Sequence, residues 1–154
     1  MRLVDGIHHL TFITADMDQL IDFYERVFDA RVTLDLKEGS VRHAFIEVGG
    51  PTVLHPFQIP DVTPPGSLPM FERGRLDHFA LKATTEEAFR EIHQRVLAEG
   101  RDDCIVIDMG LLLLFNFTDP DDGEHEVVWW KPDGTIDGIL RKDWTYIEDF
   151  GQQS

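Results

Sequence analysis

The sequence predicts an α+β protein made of two tandem β-α-β-β-β modules. Three observations carry this: an internal repeat at an offset of 69 residues, a helix-period apolar stripe in each copy, and a change to strand-period patterning after each stripe. Gly6-Ile7-His8-His9-Leu10-Thr11-Phe12 aligns with Arg75-Leu76-Asp77-His78-Phe79-Ala80-Leu81, so His9 meets His78, Leu10 meets Phe79 and Phe12 meets Leu81. Further on, Leu20 meets Phe89, and Arg26-Val27-Phe28 meets Arg95-Val96-Leu97.

Each copy opens with a strand and a helix. Residues 7–13 are rich in β-branched and aromatic side chains. Asp16 with Gln19 offers an N-cap and its capping-box partner, and Leu20, Phe23, Tyr24, Val27 and Phe28 follow at helical spacing. In the second copy Thr84 and Glu87 offer the same cap. Ala88, Phe89, Ile92, Val96 and Leu97 form the stripe, and Gly100 ends it. Three strands are then expected in each copy: 31–36, 42–48 and 52–57 in the first, 104–108, 111–117 and 124–130 in the second. The turns are Lys37 to Ser40, Gly49-Gly50-Pro51, Met109-Gly110 and Asp119-Pro120-Asp121-Asp122-Gly123. The modules span residues 1–58 and 75–131, within one compact domain. Residues 59–74 form a linker containing Pro60, Pro64, Pro65 and Pro69. Residues 132–154 are a tail outside the repeat, expected to cover a sheet edge or a partner subunit.

Composition narrows the function. The chain has 154 residues, 42% of them hydrophobic, enough for a sizeable core. The net charge of −15 opposes phosphate backbones and anionic lipid, so neither nucleic acid nor membrane is an expected partner. No apolar run approaches the roughly 20 residues that span a bilayer, and the first residues lack the apolar stretch of a signal peptide. The single cysteine, Cys104, sits in an apolar context and reads as a buried strand thiol rather than a nucleophile. With no internal disulfide available, the expected location is cytoplasmic.

The repeat also pairs chemistry. His9 and His78 open equivalent first strands, while His55 and Glu126 lie 71 residues apart in equivalent last strands. A lone strand histidine is more often a core or surface residue than a ligand. Matched placement in two copies argues otherwise: about a pseudo-twofold axis the four side chains would converge, and imidazole with carboxylate suits a first-row divalent ion. Strand alternation favours His9 over His8 and turns His125 away from Glu126. His43 and His93 have no repeat partner and read as surface residues.

Ile7-His8-His9-Leu10 with Phe23-Tyr24 downstream, and Asp119-Pro120-Asp121-Asp122-Gly123-Glu124-His125-Glu126-Val127, resemble the vicinal oxygen chelate (glyoxalase / bleomycin resistance / extradiol dioxygenase) superfamily over about residues 6–131. The resemblance implies a glyoxalase-like fold, a homodimer and one divalent metal ion per chain (Fe, Ni, Mn, Co or Zn) that chelates two neighbouring oxygens of a small-molecule substrate. In glyoxalase I and methylmalonyl-CoA epimerase all four strand positions supply ligands. Extradiol dioxygenases use those matching His9, His78 and Glu126. The sequence departs at His55, where glyoxalase-like members commonly carry glutamate or glutamine.

Four protein ligands on an octahedral ion leave room for a bidentate substrate, which suits isomerase, epimerase or lyase chemistry. Three leave room for dioxygen as well. His55 therefore divides the readings. Glu126 is the expected catalytic base, with Glu47 (expected to face solvent) and Tyr24 (expected in the core) as weaker candidates. Trp129, Trp130 and Phe57 line a pocket, pack in the core or meet a partner subunit, and Trp144, Tyr146 and Ile147 offer the tail's apolar contact surface. A third reading is a metal-free drug-binding protein, whose cationic ligand would suit the acidic surface.

Overall fold

The computed structural model describes residues 3, 7–62, 64, 68, 71–72, 76–101, 105–134, 144–148 and 150. The chain divides into two units, Met1–Ser67 and Leu68–Ser154.

In the first unit, β1 (His9–Ile13) leads to α1 (Met17–Phe28), then β2 (Arg31–Glu38), β3 (Val41–Gly49) and β4 (Thr52–Gln58). The four strands form one sheet in the order β1-β4-β3-β2, with β1 parallel to β4 and the other pairs antiparallel. Asp16 caps α1 as its sequence suggests, accepting from the backbone N–H groups of Asp18 and Gln19. Its own N–H turns to the Thr14 hydroxyl, so the reciprocal bond from Gln19 is replaced. Met17, Leu20, Phe23, Tyr24 and Val27 are buried along one stripe of α1, which packs on β3 and β4 over Ala44, Ile46 and Leu54. Tyr24 is thus a core residue. Glu47 pairs with Arg31 across the edge of the sheet.

The second unit repeats the plan with β5 (Ala80–Lys82), α2 (Glu86–Ala98), β6 (Val106–Asp108), β7 (Leu112–Thr118) and β8 (Glu124–Trp130). The cap of α2 lies one residue later than the sequence pattern suggests: Thr85, not Thr84, accepts from the Ala88 N–H. Gly100 follows the helix at φ +67°, a left-handed conformation that costs glycine little. Phe89, His93 and Val96 form the buried line of α2, packed with Phe115, Phe117 and Val127 in the core. The surface reading of His93 is therefore corrected. It sits four residues after Phe89 and three before Val96, on the stripe itself, and its ring lies 4.9 Å from Phe115.

The tail contributes a further strand, β9 (Thr145–Ile147), antiparallel to β6, giving the sheet order β5-β8-β7-β6-β9. Of the two roles expected for the tail, covering a sheet edge is the one this pairing fulfils. Phe150 then turns back against α2, its ring 5.7 Å from Phe89 and under the Arg90 guanidinium at 4.2 Å. Tyr146 is half exposed. No helix among the described residues is long and apolar enough to cross a membrane. Cys104, Pro65 and Pro69 lie outside the described residues.

Candidate metal centre

In each unit the helix covers one face of the sheet, and strand alternation sends the candidate ligands to the other. In the first unit, β1 and β4 run in parallel register with His9 opposite Val53 and Thr11 opposite His55. His9 and His55 therefore share a face, with ring centroids 5.3 Å apart. Leu54, between His55 and its neighbours of like parity, points to the helix side and is buried.

Two neighbours occupy nitrogens of these rings. His8 Nδ1 lies 2.9 Å from His9 Nδ1, which leaves His9 its Nε2. His43 Nδ1 lies 3.1 Å from His55 Nε2, which leaves His55 Nδ1 buried and without a hydrogen-bond partner among the described residues. Phe45 meets His55 edge-on at 4.5 Å, and Phe57 stacks on His43 at 5.0 Å. This wall of aromatic rings desolvates His55 and, with the nearby His43 and His9, holds its pKa below the usual imidazole range. The surface reading of His43 is corrected: β3 and β4 pair with His43 opposite Phe57, which sets the His43 ring against His55.

In the second unit β5 is parallel to β8, with Ala80 opposite Glu126 and Leu81 opposite the buried Val127. Glu126 lies on the face away from α2, and His78 precedes β5 by two residues. His78 Nε2 lies 3.8 Å from Glu126 Oε1. On the other side of the ring, Nδ1 lies 2.8 Å from Asp77 Oδ2. Burial pushes the Glu126 carboxyl above its usual range, and Glu124 adds to this, while His78 works the other way. His125 faces the opposite way, as alternation requires. It stacks on Phe79 at 3.8 Å and lies 3.4 Å from Asp119, whose other oxygen accepts from the N–H groups of Asp121 and Gly123. The Asp-Pro-Asp-Asp-Gly turn is thus braced by its first carboxylate.

The structure brings His9 together with His55, and His78 with Glu126. Within neither unit do the described residues gather three or more His, Cys, Asp or Glu side chains in a metal-holding group. The donor chemistry fits a first-row divalent ion nonetheless. His55 has a buried ring nitrogen without a partner among the described residues, and Glu126 is a desolvated carboxylate faced by the His78 imidazole. Cis ligands at about 2.1 Å from one octahedral ion sit roughly 3.0 Å apart, so His78 and Glu126, at 3.8 Å, would draw together by about 1 Å to share one. His43 and Asp77, each bonded to a candidate ligand, were missed as site residues. For Asp77 the signal was present in its position directly before His78.

Trp129 lines a cleft of about 440 Å³ in the second unit, with Leu113, Ile147 and Phe150. Trp130 is half exposed on the face that carries Glu126.

The family model described as Glyoxalase/Bleomycin resistance protein/Dioxygenase superfamily matches residues 6–126. Among solved structures, a glyoxylase/bleomycin resistance protein/dioxygenase domain from Frankia sp. EAN1pec is similar at TM-score 0.71 and 14% identity, over 83% of this chain and 99% of that one. A glyoxalase family protein from Enterococcus faecalis is similar at TM-score 0.65 and 18% identity, over 82% and 99%. The fosfomycin resistance protein FosX from Listeria monocytogenes, solved with Mn(II) and sulfate, is similar at TM-score 0.62 and 17% identity, over 86% and 98%. At these identities the likeness shows the vicinal oxygen chelate fold. No curated protein matches the sequence closely enough to count as a relative.

Proposed function

Because the chain belongs to the Glyoxalase/Bleomycin resistance protein/Dioxygenase superfamily, we propose that it is a divalent-metal-dependent enzyme acting on a small substrate with two neighbouring oxygens. The reaction is of the isomerase or lyase sort, as in glyoxalases and epimerases. The metal ligands are His9, His55, His78 and Glu126. The observation that carries this reading is the His78–Glu126 pair, 3.8 Å apart with the far side of the imidazole already bonded. When bound, the metal supplies Lewis acidity toward the substrate oxygens.

The chain's own residues do the rest. Glu126 is assigned to proton transfer as the buried carboxylate of the site, whose pKa burial pushes above the usual carboxylate range. The aromatic wall of Phe45, His55 and Phe57 excludes water from one side of the first unit's site face. The acidic surface and single cysteine support a cytoplasmic location, and the half-exposed Trp130 and Tyr146 supply apolar surface for a homodimer.

A second reading, an extradiol-type dioxygenase on His9, His78 and Glu126, is favoured by one contact. His55 Nε2 is already engaged by His43.

The test is elemental analysis of full-length protein purified without chelator and reconstituted with Mn, Fe, Co, Ni or Zn. Mn(II) comes first, since the Listeria neighbour was solved with it. About one ion per chain is expected, lost in His78→Ala and in Glu126→Ala. Retention of none of these ions overturns the reading and favours the metal-free drug-binding alternative.

A further inference from the structure

We propose that Asp77 is a positioning residue for His78: its carboxylate fixes the imidazole in the tautomer that carries the proton on Nδ1 and presents the Nε2 lone pair toward Glu126. This deepens the metal-binding reading and rests on it for its functional meaning. The geometric part stands alone.

A neutral imidazole has one N–H and one lone pair, and whatever binds one nitrogen decides the role of the other. Asp77 Oδ2, an acceptor only, sits 2.8 Å from His78 Nδ1, so Nδ1 must donate. In the neutral ring Nε2 then carries the lone pair, and it lies 3.8 Å from Glu126 Oε1. Metal-binding histidines characteristically give their second N–H to such a carboxylate, which fixes the ring and raises the basicity of the ligating nitrogen.

Asp77 is itself anchored. Its Oδ1 accepts the backbone N–H of Phe71, so both carboxylate oxygens are engaged. Phe71 is held at φ +71°, a left-handed conformation disfavoured for a residue with a Cβ. Its ring meets His78 edge-on at 6.2 Å. A carboxylate pinned from one side by the chain before it and bonded on the other to His78 has little freedom to rotate away.

The repeat supplies an independent observation. At the offset that aligns His9 with His78, Asp77 aligns with His8. His8 also engages Nδ1, at 2.9 Å, of the histidine that follows it. In both units the side chain immediately before the candidate ligand occupies the same nitrogen. Only the second copy does so with an anion.

Two measurements on the full-length protein test this. The first is long-range ¹H–¹⁵N correlation NMR of metal-free protein, with the His78 signals assigned by their loss in His78→Gln. Wild type is expected to show His78 protonated on Nδ1, and Asp77→Ala to shift it toward Nε2–H. The second is Mn(II) titration. Asp77→Ala is expected to bind roughly 10- to 100-fold more weakly. Asp77→Asn, which keeps an acceptor oxygen without the charge, should keep the tautomer and lose less. Asn also preserves side-chain volume, so it serves if the alanine variant does not fold. An Nε2–H tautomer in wild type, or unchanged tautomer and affinity in Asp77→Ala, overturns the proposal. If wild type takes up no metal while the tautomer shift occurs as described, the metal reading fails and the positioning of His78 by Asp77 stands.

Discussion

His55→Ala separates the four-ligand arrangement from the three-ligand one, and the structure fixes the size of effect to look for. In the metal-free protein the substitution has opposing consequences. It removes the bond to His43, worth about 0.5–1.5 kcal/mol, and the ring contacts with His9, Phe45 and Phe57. It also removes the orphaned Nδ1, whose burial without a partner costs about 1–3 kcal/mol. These largely offset, and the net loss of stability is expected to be about 1 kcal/mol. For a chain of this length that is a fall in Tm of roughly 2–4 °C. Metal affinity has no such compensation. Loss of a residue that merely supports a ligand already costs about 10- to 100-fold, so loss of a ligand is expected to cost at least about 100-fold, or about 2.7 kcal/mol. Replacement by glutamate or glutamine, which related sites carry there, should recover part of it. The assay is Mn(II) titration of wild type, His55→Ala, His55→Glu and His55→Gln, with a melt of each metal-free variant. Wild-type affinity in His55→Ala, alongside loss of binding in His78→Ala, would refute the four-ligand assignment and move the reading to the dioxygenase arrangement.

The folded-state pKa of His55 lies below its unfolded value, so the unfolded chain binds more protons as pH falls through about 6.5; metal-free wild type should lose stability there, and His55→Phe should flatten that dependence in a pH series of urea melts. Arg42 bridges Asp35 and Asp18 and holds the Asp35 carboxyl below its usual range. Arg42→Met should therefore cost about 1 kcal/mol at pH 7, and the difference from wild type should close as pH falls below about 4, measured by thermal unfolding. Phe150→Ala removes a buried ring from Phe89, His93 and Arg90, and an expected loss of about 3 kcal/mol, read by denaturant unfolding, would be contradicted by a wild-type midpoint. Asp29 ends α1 at φ +51°, so Asp29→Gly should stabilise by a few tenths to about 1 kcal/mol in the same assay.

Much of the fold was legible because each signal is local. Helix stripes repeat every three or four residues and strands every two, and both copies of the repeat carry both. Boundaries drifted where a local signal was shared by neighbours. Thr84 and Thr85 are equally good caps by type, and only the backbone decides which hydroxyl reaches the Ala88 N–H. The strand β9 was not legible as a strand. Its three residues pair with β6, about forty positions earlier, and no period announces so short a partner. His93 was misread for a different reason. It has no repeat partner and so reads as a surface residue, although the spacing from Phe89 and to Val96 places it on the buried stripe.

The site divides along the same line. Choosing His9 over His8, and Glu126 over His125, needs only the alternation of a strand, and the faces follow: His9 shares one with His55, while His125 turns to Phe79 and Asp119. His43 needs more, because its meeting with His55 is set by the register of a hairpin. The β3–β4 turn places His43 opposite Phe57 and so diagonal to His55. A shift of one residue would have sent His43 to the helix side and left His55 Nε2 open. Which nitrogen of His55 is open thus depends on the hairpin register, set at the turn where Gly49 and Gly50 take φ +124° and +55°. The two glycines of that turn thereby decide which nitrogen of His55 has a partner and which has none among the described residues.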